Sequence, residues 1–133
     1  MTHRSRLCHL IIDCIDLDEG EAFWAPALGA EIRPVADGSE HVYRRLVPPG
    51  AGIHVLLQRT DDLKSEKSTM HLDIETDNVE AEVARLEALG AQRLTNQTER
   101  DYNFWVMADP WGNEFCVLQP TYPAKLSQGN CWP

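Results

Sequence analysis

No apolar run in this sequence approaches the roughly 20 residues of a membrane-spanning helix, so no membrane partner is expected. Basic residues are scarce: 12 Lys and Arg stand against 21 Asp and Glu, a formal net charge of −9. Nucleic acid and anionic lipid both require basic patches, so neither is an expected partner. The acidity is mildly compatible with a cationic small ligand, although a solubility surface is its commoner meaning. Cysteine is also sparse, with four in 133 residues. Cys8 and Cys14 share one strand and one face too far apart to bridge, Cys116 falls in the last strand and Cys131 in a tail. Reduced thiols and a cytoplasmic location are therefore expected, the more so because Met1 to Arg6 leads into a strand-like segment rather than a signal-peptide core. The length and the 43% hydrophobic content allow one core and a single domain over 1–133.

What is present is a hairpin and its weaker copy. Asp109-Pro110 starts a reversal, Gly112-Asn113 supplies residues that tolerate positive φ, and Phe115 to Gln119 follows as a short apolar strand. Asn103 to Ala108, aromatic and β-branched, is the incoming strand. Earlier, Tyr43 to Val47 runs through Pro48-Pro49-Gly50-Ala51-Gly52 into Ile53 to Gln58. Leu-Gly-Ala recurs at 28–30 and 89–91, and Leu-Leu-Gln at 56–58 is echoed by Val-Leu-Gln at 117–119. Two copies are too few for a solenoid, so the repeat marks a duplicated module. The first module spans about 6–60, a charged linker 61–68, the second module about 69–119 and a tail 120–133.

Leu7 to Ile15 alternates as a strand, with Cys8, Leu10, Ile12 and Cys14 forming an apolar face. Acids at Asp16, Asp18 and Glu19 suit a helix N-terminus, and the helix carries Phe23-Trp24 to its stop at Gly29, with Pro26 expected to kink or shorten it. Ala30 to Val35 reads as a strand and 36–39 as a turn. His71 to Thr76 repeats the first strand, and Asp77-Asn78 caps a helix through Val79, Val83, Leu86 and Leu89, closed by Gly90. Ala91 to Leu94 reads as a short strand, Thr95 to Asp101 as a polar bend, and the tail as coil that packs through Tyr122 or Trp132 or is partly disordered. The expected fold is α+β: two βαβββ modules, a pseudo-twofold repeat, forming curved mixed sheets around a central cup. If the apolar strand faces cover the helices, then His9, Ile11 and Asp13, with His71, Asp73 and Glu75, point into that cup.

The chain resembles the glyoxalase, bleomycin-resistance and extradiol-dioxygenase group, the vicinal oxygen chelate superfamily. The resemblance rests on Leu7-Cys8-His9-Leu10 with Phe23-Trp24 and Leu28-Gly29, on His71-Leu72-Asp73 with Leu86 to Ala91, and on Asp109 to Phe115. In metal-using members, the first and last strands of each half supply His and Glu ligands. The resemblance puts the first-strand positions at His9 and His71, and the last-strand positions at Val55 and Cys116, neither of which is Glu. Valine cannot bind a metal, and a thiolate favours zinc over harder ions.

His9, His71 and Cys116 are thus the candidate ligands of a divalent metal (zinc, nickel, manganese or iron), with Asp73 conceivable as a fourth donor. The first functional expectation is a small-molecule binder of the bleomycin-resistance kind, without the full metal site. Its ligand would be lined by His9, Asp13, His71, Asp73, Trp105 and Cys116. The alternative is a metal-dependent lyase, isomerase or dioxygenase with His9 or His71 as its catalytic base. The family implies a homodimer.

Overall fold

The computed structural model describes residues 2–35, 38–50, 52–61, 69–110 and 112–133. The elements run β1 (His3–Cys14), α1 (Leu17–Leu28), β2 (Glu31–Arg33), β3 (Tyr43–Val47), β4 (His54–Arg59), β5 (Met70–Thr76), α2 (Val79–Ala88), β6 (Gln92–Glu99), β7 (Tyr102–Ala108), β8 (Glu114–Leu118), α3 (Pro123–Leu126) and β9 (Asn130–Trp132). The fold is α+β, rich in strands and poor in helices, and the order βαβββ is written twice before the last two short elements. The chain divides into two compact units, His9–His71 and Met1–Cys8 with Leu72–Pro133, and β1 contributes to both.

In the His9–His71 unit, β2, β3 and β4 form an antiparallel ladder, and β4 then lies parallel to β1 with His9 opposite His54 and Asp13 opposite Gln58. The helix α1 starts where Asp16 accepts from the Glu19 backbone N–H, and it ends at Gly29, whose φ of 61° only glycine adopts cheaply. Pro26 falls in the last turn, and the helix continues through it to Leu28. One sheet face packs on this helix through Ile12, Leu46, Val55 and Leu57, with Leu10, Cys14 and Trp24 at the margin.

In the other unit, β5 runs parallel to β8, and β8, β7 and β6 form an antiparallel ladder. Asn78 caps α2 by accepting from the Ala81 N–H. Val83 of that helix meets Met107 and Val117 of the sheet, and Trp105 and Phe115 pack against them. At the hairpin tip, Asp109 accepts from both the backbone and the side-chain N–H of Asn113, and Gly112 takes a φ of 90°.

Two expectations fail here. Thr95 to Asp101 is not a bend: β6 continues to Glu99, and the turn is Arg100-Asp101, both at positive φ (48° and 68°). The strand gave no apolar alternation because nearly every residue of this sheet edge is exposed on both faces. Nor is the tail coil. It forms α3 and then β9, which pairs antiparallel with β1, His3 opposite Trp132. Trp132 donates its indole N–H to Ser5 at 2.8 Å, and the Arg85 guanidinium lies 3.8 Å from its ring centroid. The Tyr122 backbone N–H is shared between the two Glu75 carboxylate oxygens. Residues 36–37 of the expected 36–39 turn, residues 62–68 of the 61–68 linker and Trp111 fall outside the described residues.

Candidate functional site

The donor-rich place in this structure is the pair β5–β8. Alternation along β5 turns His71, Asp73 and Glu75 to one face, and parallel register sets Asp73 opposite Cys116 of β8. One ligating atom each from His71, Asp73 and Cys116 lies within 4.8 Å of the other two. Asp73 is buried, and His71 and Cys116 are half-buried. Burial pushes the Cys116 thiol up to about 12, and the carboxylates of Asp73 and Glu114 add to the shift. Burial likewise raises the Asp13 carboxyl, partly offset by His71.

These three donors suit a soft or borderline divalent ion. Bonds of about 2.0–2.3 Å put tetrahedral donors some 3.3–3.8 Å apart, inside the 4.8 Å bound on the separations in this cluster. Imidazole, carboxylate and thiol together favour zinc, ferrous iron or nickel over manganese or magnesium. Three protein donors leave a position for a ligand oxygen, and an ion held there would displace the thiol proton.

His9 stands outside this cluster. It is buried on β1 beside His54 of β4, a residue that sequence reasoning missed. The family count put the last-strand position of the first module at Val55, but Val55 packs in the α1 core, and parity turns His54 to the His9 side. The parallel β1–β4 register carries this information, and no single segment does. Trp105 is also apart from the cluster. It pairs with Val117 and packs on the α2 side of the sheet, opposite to Cys116, with Arg93 5.1 Å from its ring centroid. Asp13 lies in the His9–His71 unit, paired with Gln58, its backbone N–H donating to the Thr69 carbonyl. Among the described residues, no helix is long and apolar enough to cross a membrane.

The profile of the glyoxalase-like domain matches residues 9–118. Among solved structures, the chain is similar to methylmalonyl-CoA epimerase from Mycobacterium tuberculosis, with a TM-score of 0.62, 19% identity and 89% of each chain covered. It is also similar to a glyoxalase/bleomycin resistance protein/dioxygenase superfamily member from Vibrio splendidus. That match has a TM-score of 0.59, 17% identity, and covers 87% of this chain and 99% of that one. A hypothetical protein from Bacillus halodurans matches with a TM-score of 0.63 at 12% identity, over 88% and 95%. At these identities the structural likeness speaks for the fold alone. No curated protein matches the chain.

Proposed function

The chain belongs to the glyoxalase-like domain family, and from that premise we propose that it binds a small molecule at a metal-assisted site built on His71, Asp73 and Cys116. The observation that carries this reading is the approach of three different donor atoms to within 4.8 Å of one another on one strand pair. The site differs from the family's usual His and Glu set, because a thiol stands at the last-strand position and Asp73 joins from the strand of His71. A divalent ion held there would serve as a Lewis acid for an oxygen of the ligand. His71 and Asp73 present their donors from one face of β5, and Asp73 is buried while Cys116 is half-buried, which limits water around them. The free cysteines fit a reducing cytoplasm, and the family resemblance favours pairing with a second copy.

Titration of zinc into metal-free protein tests this directly. Near-stoichiometric binding is expected, weakened at least tenfold in Cys116→Ser and in His71→Ala and unchanged in His9→Ala. The Cys116 thiol supports a second reading, a binder without metal, since its pKa near 12 keeps it protonated at neutral pH. Zinc binding that survives both substitutions would overturn this donor set, and no zinc binding at all would favour the second reading.

A further inference from the structure

On β7 and β8, the side chains turned away from α2 form an apolar strip beside the donor cluster. Trp105, Met107 and Val117 pack on the α2 side, so alternation turns Phe104 and Val106 of β7, with Cys116 and Leu118 of β8, to the other face. The antiparallel register sets Val106 opposite Cys116 and Phe104 opposite Leu118. All four are half-buried, so the strip keeps part of its surface open. On β6, Thr95 stands opposite Val106 and Gln97 opposite Phe104. Both are exposed, and Gln97 donates to the Thr95 hydroxyl at 3.2 Å. From Cys116 to this uncharged polar rim is two strand spacings, about 10 Å, the span of one substituted aromatic ring.

The charge count at the donors limits what can lie on the strip. A divalent cation bound by the Asp73 carboxylate, the Cys116 thiolate and a neutral His71 imidazole carries no net charge. Glu114 lies two residues from Cys116 on the same face, and its carboxylate, with those of Asp73 and Glu99, opposes negative charge on the Cys116 sulfur. Glu99 has Arg100 at 3.8 Å and the buried Glu75 has Arg6 at 3.8 Å, so those two are balanced while Glu114 adds negative charge. An anionic ligand would therefore meet no net attraction from the ion and repulsion from Glu114.

We infer that the ligand of this site is an uncharged molecule with a flat apolar body: its donor atom completes the ion, the body lies on Phe104, Val106 and Leu118, and the far end meets Thr95 and Gln97. This rests on the reading that His71, Asp73 and Cys116 hold a metal, and it names the class of ligand which that reading leaves open. The ligand wall expected of Trp105 falls to the residues on either side of it.

The test is calorimetric titration of zinc-loaded protein, at mildly alkaline pH, with 4-phenylimidazole, imidazole and benzoate. 4-Phenylimidazole, neutral under those conditions, is expected to bind about tenfold or more tightly than imidazole, which lacks the body, and than benzoate, which carries the body on an anion. Phe104→Ala should bring its affinity down to that of imidazole. Glu114→Gln, which leaves the apolar strip in place, should strengthen benzoate about threefold or more. Zinc stoichiometry read on the same samples separates the two readings. Wild-type protein that takes up no zinc overturns the metal site and this inference with it. Zinc-loaded protein that binds benzoate as tightly as 4-phenylimidazole, gains nothing from the phenyl group, or responds to neither substitution overturns this inference alone.

Discussion

The four cysteines occupy different environments, and their reactivity follows. Cys131 is exposed on β9, whereas Cys8 is fully buried, and burial together with Asp73 and Glu75 drives its thiol far up. Cys116 is raised to about 12, and Cys14 is raised as well. Iodoacetamide at pH 8, followed by peptide mass spectrometry, should therefore modify Cys131 first, with Cys8 and Cys116 at least tenfold slower because only the thiolate attacks. Alternation along one strand was enough to put His71 and Asp73 on a common face. The neighbours of His9 and Arg45 were not readable that way, because cross-strand register is fixed by turn geometry that a single segment does not encode. The module count misplaced the β4 position for a related reason. Aligning Gln58 with Gln119 shifts parity by one relative to the core residues Leu57 and Val117, so the count landed on the wrong face.

The helices and the inner strands were readable because each carries an apolar face and a distinct start or stop signal. Asp16 and Asn78 both cap as their types suggest, and Gly29 closes α1 in the left-handed conformation. The edge strand β6 has no buried face and so left no periodic trace. The tail was misread because its order comes from long-range partners. Trp132 is held by Ser5 and by stacking on Arg85, while Arg85 in turn forks onto Glu82 at 2.7 and 3.0 Å. Trp132→Ala should cost about 2–3 kcal/mol, counting the lost burial, the cation–π contact and the hydrogen bond. Trp132→Phe should cost about 1 kcal/mol, because it keeps the stacked ring. Urea denaturation of both variants reads the difference.

For the chain as one folded species, Glu82 acts on the acid side of its stability profile, and the buried thiols Cys8 and Cys116 act on the alkaline side. Burial alone would raise the Glu82 carboxyl, but hydrogen bonds from Arg85, His3 and Ser5 outweigh it and hold the pKa below its ordinary 4.5. A depressed folded-state pKa gives stability that is complete above about pH 4.5 and is lost as pH falls through the lower folded value. Cys116 acts in the opposite sense. Its stabilising effect is complete below its ordinary value of 9.0 and is lost as pH climbs toward about 12. Denaturant melts across pH should show a plateau between these limits, with Glu82→Gln flattening the acid limb and Cys116→Ser making the alkaline limb shallower. The duplicated element order was visible in the sequence as recurring tripeptides, because each module must solve the same strand–helix packing problem with its own core cluster. Ligand chemistry was not visible there. Net acidity was only mildly compatible with a cationic ligand, and cross-strand neighbours such as Arg33 and Arg45 exist only once β2 and β3 have met.

The Arg100-Asp101 turn leaves this protein room for improvement. Two side chains that favour negative φ occupy positions where Asn-Gly sits without strain, so the pair holds back free energy that function does not visibly require. Arg100→Asn with Asp101→Gly should release about 1 kcal/mol, seen as a higher urea midpoint, without touching either histidine-bearing face. A chain with such slack at a hairpin tip has a reserve against which costlier changes elsewhere, new ligand contacts among them, can be tolerated.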